Sequence, residues 1–104
     1  MKQVVAIVKP FLAEKVINNL QHAPLEALNV REVKGFGRQK SYLEQYGESE
    51  YSHAFLAKVE ITMWVDDARV DEIVRSIIEV ARTGRMGDGK LLLLPLAVDE
   101  VISI

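Results

Sequence analysis

Ala57-Lys58-Val59-Glu60-Ile61-Thr62-Met63-Trp64-Val65 alternates apolar against mostly polar residues with a period of two. That is the signature of a strand with one buried face. Asp66 or Asp67 is placed to cap a helix behind it. Val70, Ile73, Val74, Ile77, Ile78 and Ala81 then form an apolar stripe at helical spacing, and Arg82 closes it at the negative end of the dipole. Leu91-Leu92-Leu93-Leu94 reads as a further strand, and Val101-Ile102-Ser103-Ile104 as a short terminal one.

Outward in the other direction the same order recurs. Gln3 to Val8 is a continuous apolar, β-branched run, expected as a strand buried on both faces. Pro10 suits a first helical turn. Leu12, Val16, Ile17 and Leu20 predict a helix from Phe11 to His22, ending before Pro24. Leu28 to Val33 predicts a second strand. The chain therefore reads β-α-β, long loop, β-α-β, a single domain over residues 1–104 of class α+β. The expected architecture is a ferredoxin-like βαββαβ sandwich with helices on one face of an antiparallel sheet. Leu91 to Leu94 is apolar on both faces, and Trp64 and Leu56 lie on the face opposite Val59. An oligomer closed over the sheet is expected, because exposed apolar area costs about 25 cal/mol for each Å².

Composition narrows the function classes. Forty-nine per cent hydrophobic and 27% charged residues are values of a globular chain. A net charge of −2 argues against general nucleic-acid binding. Without cysteine there is no disulfide framework or thiolate metal site. The apolar run at the N-terminus is too short for a signal-peptide core, and no apolar stretch has spanning length, so a cytoplasmic protein is expected.

Two glycine-rich turns carry the chemistry. Thr83-Gly84-Arg85-Met86-Gly87-Asp88-Gly89-Lys90 combines three glycines with fixed positive charge. Such a backbone can approach a ligand closely and present its N–H groups to an anion. It matches the first seven positions of a phosphate-binding P-loop, but Leu91 stands where Ser or Thr is needed. The flanking order, helix before and strand after, is also reversed. A dinucleotide fingerprint fails for want of a third glycine. The second turn, Lys34-Gly35-Phe36-Gly37-Arg38-Gln39-Lys40, opens the polar segment Gly35–Ala54, which holds Tyr42, Tyr46, Tyr51, Glu44, Glu48 and Glu50. A connection of that length is usually functional. His53 alone lacks the ligands of a stable metal site, His22 suits a solvated helix end, and Met63 suits core packing.

The blocks Val33–Lys40, Glu50-Tyr51, Phe55–Val59 and Ala81–Lys90, with the opening Ala6-Ile7-Val8-Lys9-Pro10-Phe11, resemble the PII family of signal-transduction proteins. The resemblance implies a homotrimer with ATP or ADP in three intersubunit clefts. Gly35–Ala54 would be a mobile effector-contacting loop and 82–90 the phosphate loop. It places Gly35, Gly37, Arg38 and Gln39 near the phosphates, with Gly87, Asp88, Gly89 and Lys90 on the other side. The backbone near Trp64 would meet the adenine, and Asn29 would lie near the ribose. It also implies 2-oxoglutarate bound through a magnesium bridged to ATP, with Gln39 on the metal and Gln39, Lys40 and Lys58 serving the oxoacid. Tyr51 matches a position that some members have uridylylated.

The resemblance has departures. Members end in a strand with two arginines that reach the phosphates, whereas Asp99-Glu100-Val101-Ile102-Ser103-Ile104 has none. Charge-assisted hydrogen bonds are worth about 1.5–3 kcal/mol each, so weaker triphosphate binding is expected, with ADP or AMP competing better. Gly47-Glu48 stands where members carry Arg-Gly. The leading expectation is a non-enzymatic regulator of an ammonium transporter or nitrogen-assimilation enzyme, meeting a membrane only through such a partner. Its competitors are a regulator of another transporter such as a metal-efflux system, a weak nucleotide hydrolase using Asp88, and a metal-binding module built on His53.

Overall fold

The computed structural model describes residues 1–20, 27–35, 56–85 and 88–104. Its elements are β1 (Lys2–Val8), α1 (Pro10–Asn19), β2 (Ala27–Gly35), β3 (Leu56–Val65), a short 3-10 turn (Asp67–Arg69), α2 (Val70–Ala81) and β4 (Lys90–Pro95). The strands form one antiparallel sheet in the order β2-β3-β1-β4. This is the ferredoxin-like arrangement that the pattern predicts.

Register explains which residues are buried. Val4, Ala6 and Val8 sit across from Met63, Ile61 and Val59, and these six share the helix-covered face and are all buried. Leu12, Ala13 and Val16 of α1 and Val70, Ile73 and Ile77 of α2 complete the core. Val5, on the opposite face of β1, is also buried, because a central strand is flanked on both sides. Leu92 and Leu94 lie on the helix-free face and Leu91 and Leu93 on the helix side, as the four-leucine run requires. Leu92, Leu93 and Leu94 are exposed. The helix-free face is less uniformly apolar than expected, since Arg31 of β2 pairs there with Glu60 of β3, beside Asn29 and Thr62.

Several expectations are corrected. The Asp66 and Asp67 side chains make no cap hydrogen bond. The chain enters α2 through the 3-10 turn, where the Asp66 carbonyl accepts from the Arg69 N–H at 2.8 Å, and the Asp67 carboxylate lies 3.1 Å from the Met1 amino group. Val101–Ile104 is no strand. β2 runs from Ala27 to Gly35 rather than Leu28 to Val33 because β3 supplies ladder partners along its whole length. α1 ends at Asn19, with Leu20 as its C-cap, rather than at His22; His22 itself lies outside the described residues, as do Gly37, Arg38, Gln39, Lys40, Tyr42, Tyr46, Tyr51, His53 and Gly87.

The two helices are tied at their exposed edge, where Asn19 Nδ2 donates to the Ser76 carbonyl at 2.8 Å. Asn19→Ala is expected to cost about 1 kcal/mol, read as a lower urea midpoint at unchanged slope.

Candidate functional site: an anion turn at the end of the sheet

The 83–90 turn begins where α2 stops. Arg82 leaves the helix with an extended backbone, and Gly84 takes φ +79, the left-handed region where a side chain is strained. At the far end, Gly89 packs on β1 so closely that an added Cβ would lie 2.8 Å from the Ile7 carbonyl oxygen. Two glycines thus serve different ends, one conformational and one steric.

Asp88 organises the turn. Thr83 Oγ1 donates to Asp88 Oδ2 at 2.7 Å, and Lys9 Nζ lies 3.2 Å from Asp88 Oδ1. Lys58 Nζ donates to the Asp88 carbonyl oxygen at 2.9 Å, while the Asp88 N–H donates to the Arg85 carbonyl at 3.2 Å. The Arg85 N–H in turn donates to Thr83 Oγ1 at 3.2 Å. Asp88 is 5% exposed, yet both carboxylate oxygens are satisfied. The Thr83 hydrogen bond above all, then the Lys9 contact and the Arg85 charge, hold its carboxyl below the usual carboxylate range, against the effect of burial. A carboxylate so stabilised is a weak proton acceptor, which counts against Asp88 as the base of a hydrolase.

Lys58 is equally buried. Desolvation pulls its pKa down, Lys9 and Lys90 push in the same direction, and the Asp88 charge opposes them. The outer rim is cationic as well, because Arg82, Arg85 and Lys90 are exposed. They border a groove of about 600 Å³ whose apolar floor includes Val8, Ile77, Ile78, Ala81 and Leu91. An apolar floor with a cationic rim and a closely approaching backbone suits an anion with an apolar body.

Of the residues singled out from the sequence, the fold brings together Lys58, Asp88, Gly89 and Lys90. Asn29 and Trp64 share the helix-free face with Lys58 and Lys90 but lie away from the turn. Trp64 pairs with Gln3 and Lys90 with Ile7, a separation along β1 of about 13 Å at strand rise. Asn29 is on the other edge strand, three strand spacings or about 14 Å from β4. Gly35 ends β2, opposite Leu56. Two residues of the turn's framework, Lys9 and Thr83, have no assigned role in the sequence reading. The signal for Lys9 was its place: a charge ending a buried strand, held ahead of Pro10 in an extended conformation.

Comparison with known proteins points to one family. The family described as Nitrogen regulatory protein P-II matches residues 1–104. Curated relatives named Nitrogen regulatory protein P-II include those of Nostoc punctiforme, 46% identical, and Synechocystis, 44% identical. Another from Rhodobacter capsulatus is 47% identical. Each alignment covers 100% of this chain and 91% of the relative. With the ferredoxin-like sheet, the glycine turn and full-length similarity in agreement, the chain belongs to the nitrogen regulatory protein P-II family.

Proposed function

We propose that this chain is a non-enzymatic signal-transduction regulator that binds ATP or ADP at the 82–90 turn and, with Mg2+, 2-oxoglutarate beside it. The observation that carries the reading is the turn itself: exposed cations Arg85 and Lys90 and a glycine seated against the end of β1. The phosphates would meet Gly89 and Lys90, with Gly35, Gly37, Arg38 and Gln39 on the facing loop. Gln39 would hold the metal, and Lys40 and Lys58 would serve the oxoacid.

The separation of Asn29 and Trp64 from Lys90 within one chain favours a site shared between copies. In a homotrimer closed over the helix-free face, Trp64 and Asn29 of one subunit would meet the turn of another. Leu92 and Leu94, exposed on that face, are what such closure would cover. Ligand occupancy then biases the state of the loop Gly35–Ala54, which docks on a transporter or nitrogen-assimilation enzyme. A ligand shifts that balance only by its differential affinity for the two loop states.

A thermal-shift series with ATP, ADP and AMP, each with and without Mg2+ and 2-oxoglutarate, tests the reading. A rise in midpoint with nucleotide, extended by 2-oxoglutarate only when Mg2+ and ATP are present, is expected. No shift with any nucleotide would sink it. Lys90→Ala removes one charge-assisted contact of about 1.5 kcal/mol or more and is expected to weaken ADP binding roughly tenfold by calorimetry. The oligomer should elute unchanged, because Lys90 is exposed at the rim. A Lys90→Ala protein that dissociates would show the turn to be structural instead.

A further inference from the structure

We propose that Lys9 is the positioning residue of the anion turn, acting on the ligand through Asp88 and not by touching it. The choice of nucleotide as ligand rests on the reading above, while the link from Lys9 to Asp88 rests on geometry alone.

Lys9 occupies the junction between the central strand and α1. Its backbone is fixed on both sides: Pro10 restricts it to an extended conformation, observed at φ −62 and ψ 144, and its carbonyl accepts from the Leu12 N–H at 2.9 Å. From that anchored position the side chain reaches in two directions. Its ammonium lies 3.2 Å from Asp88 Oδ1 and 6.0 Å from the centroid of the Phe11 ring. Phe11 is 67% exposed, an aromatic ring outside the core whose face is offered to a cation. The ring thereby adds a weak cation–π contact to the ammonium's ion pair with Asp88.

Asp88 transmits the effect. Its two carboxylate oxygens are divided between Thr83, at the start of the turn, and Lys9, on the sheet. The carboxylate is therefore a bridge that holds a short loop against the rigid end of β1. The carbonyl of the same residue holds Lys58, and the next two residues are Gly89 and Lys90. Loss of Lys9 leaves a buried anion with one partner fewer, and the turn must shift to let water reach it. Every group placed to meet an anion shifts with it.

Neutral and conservative replacements of Lys9 separate this role from direct contact. Lys9→Met is expected to weaken ADP binding about tenfold, and Lys9→Arg to stay within about threefold of the wild type. In an Asp88→Asn background, Lys9→Met should cost nothing further, because its route to the ligand is already cut. An undiminished tenfold loss in that background would mean that Lys9 contacts the ligand itself, and would overturn the proposal. A second readout needs no ligand. The groups facing Asp88 are Thr83, Lys9, Arg85 and Lys58, and its carboxyl titration followed by NMR should move up in Lys9→Met and not in Lys9→Arg. Lys9→Gln replaces Lys9→Met should the latter not fold. A titration that stays put in the neutral variant overturns the proposal even if the wild type binds no nucleotide, an outcome that would count separately against the nucleotide reading.

Discussion

Gly89→Ala is expected to abolish high-affinity nucleotide binding, with a loss on the order of a hundredfold or more. The new methyl would sit 2.8 Å from the Ile7 carbonyl oxygen, a backbone atom of the central strand. Ile7 is paired on its other side with Glu60 of β3, so β1 has no room to retreat. The turn must lift instead. Asp88 lies immediately before Gly89, and lifting it stretches the contacts to Lys9 and Lys58 at 3.2 and 2.9 Å. Two charge-assisted contacts at about 1.5–3 kcal/mol each account for the expected loss. Stability should fall too, since overpacking against a fixed backbone costs about 1–3 kcal/mol. In a domain of this size that is a midpoint lower by on the order of 10 °C. Gly84→Ala is the internal control. Its φ of +79 makes a side chain strained, but an added Cβ meets nothing within 4 Å, so it should lower stability by about 1 kcal/mol and spare most of the binding. Calorimetry with ADP on both variants decides the matter. If Gly89→Ala binds like the wild type, the close approach to Ile7 has no role in holding the site.

The contrast between these glycines shows what could be read before any coordinates. A turn with three glycines and several cations marks a candidate anion cradle, and the β3 alternation and α2 stripe announce the sheet and its covering helix. In each case the signal lies in residues close together in the chain. The bridge at Asp88 has no such signal. Thr83, Lys9 and Lys58 come from a loop and two different strands' ends, and only the sheet order places β1 beside both β3 and β4. The same limit explains the misread ends. β2 gains Ala27 and Gly35 through ladder partners on β3, not through any apolar pattern of its own. Val101–Ile104 has the composition of a strand, yet it pairs with no strand among the described residues. Asp66 and Asp67 resemble caps, yet the 3-10 turn satisfies the first backbone groups before α2 begins.

Separation along the sheet also bears on how the proposed site would be assembled. Lys58, Asp88, Gly89 and Lys90 converge within one chain, whereas Trp64 and Asn29 are displaced along and across the strands by distances comparable to a nucleotide. A site with its phosphate end and its base end on different copies makes binding depend on assembly. Nucleotide affinity would then fall on dilution below the dissociation range of the oligomer, and added nucleotide would hold the oligomer together.

Asp88→Asn is the sharpest probe of the turn's electrostatics, because its effect should depend on pH in a defined direction. The amide keeps the shape and still accepts from Thr83, but Lys9 loses its charged partner. At neutral pH the variant is expected to be less stable by about 1.5–3 kcal/mol, the worth of a charge-assisted hydrogen bond, and to bind ADP at least tenfold more weakly. The native carboxyl is held below the usual range chiefly by Thr83 and then by Lys9. A group with a depressed native pKa contributes stability that is fully present above its unfolded value, near 3.9 for aspartate. That stability is lost as pH falls through the lower native value. The wild type should therefore lose its advantage on acidification, and the gap between the two proteins should close as pH falls through the depressed native value. Lys58 works at the other end of the scale. Burial lowers its pKa while the Asp88 charge opposes that shift, so its charged form is disfavoured in the folded state, more so in Asp88→Asn, and raising the pH from the lowered value towards about 10.4 relieves that cost in both proteins. Urea unfolding of wild type and Asp88→Asn between pH 3 and 9 reads both effects. A stability gap that stays constant across the acidic range would mean that Asp88 serves by shape and not by charge, and the electrostatic account of the turn would have to be abandoned.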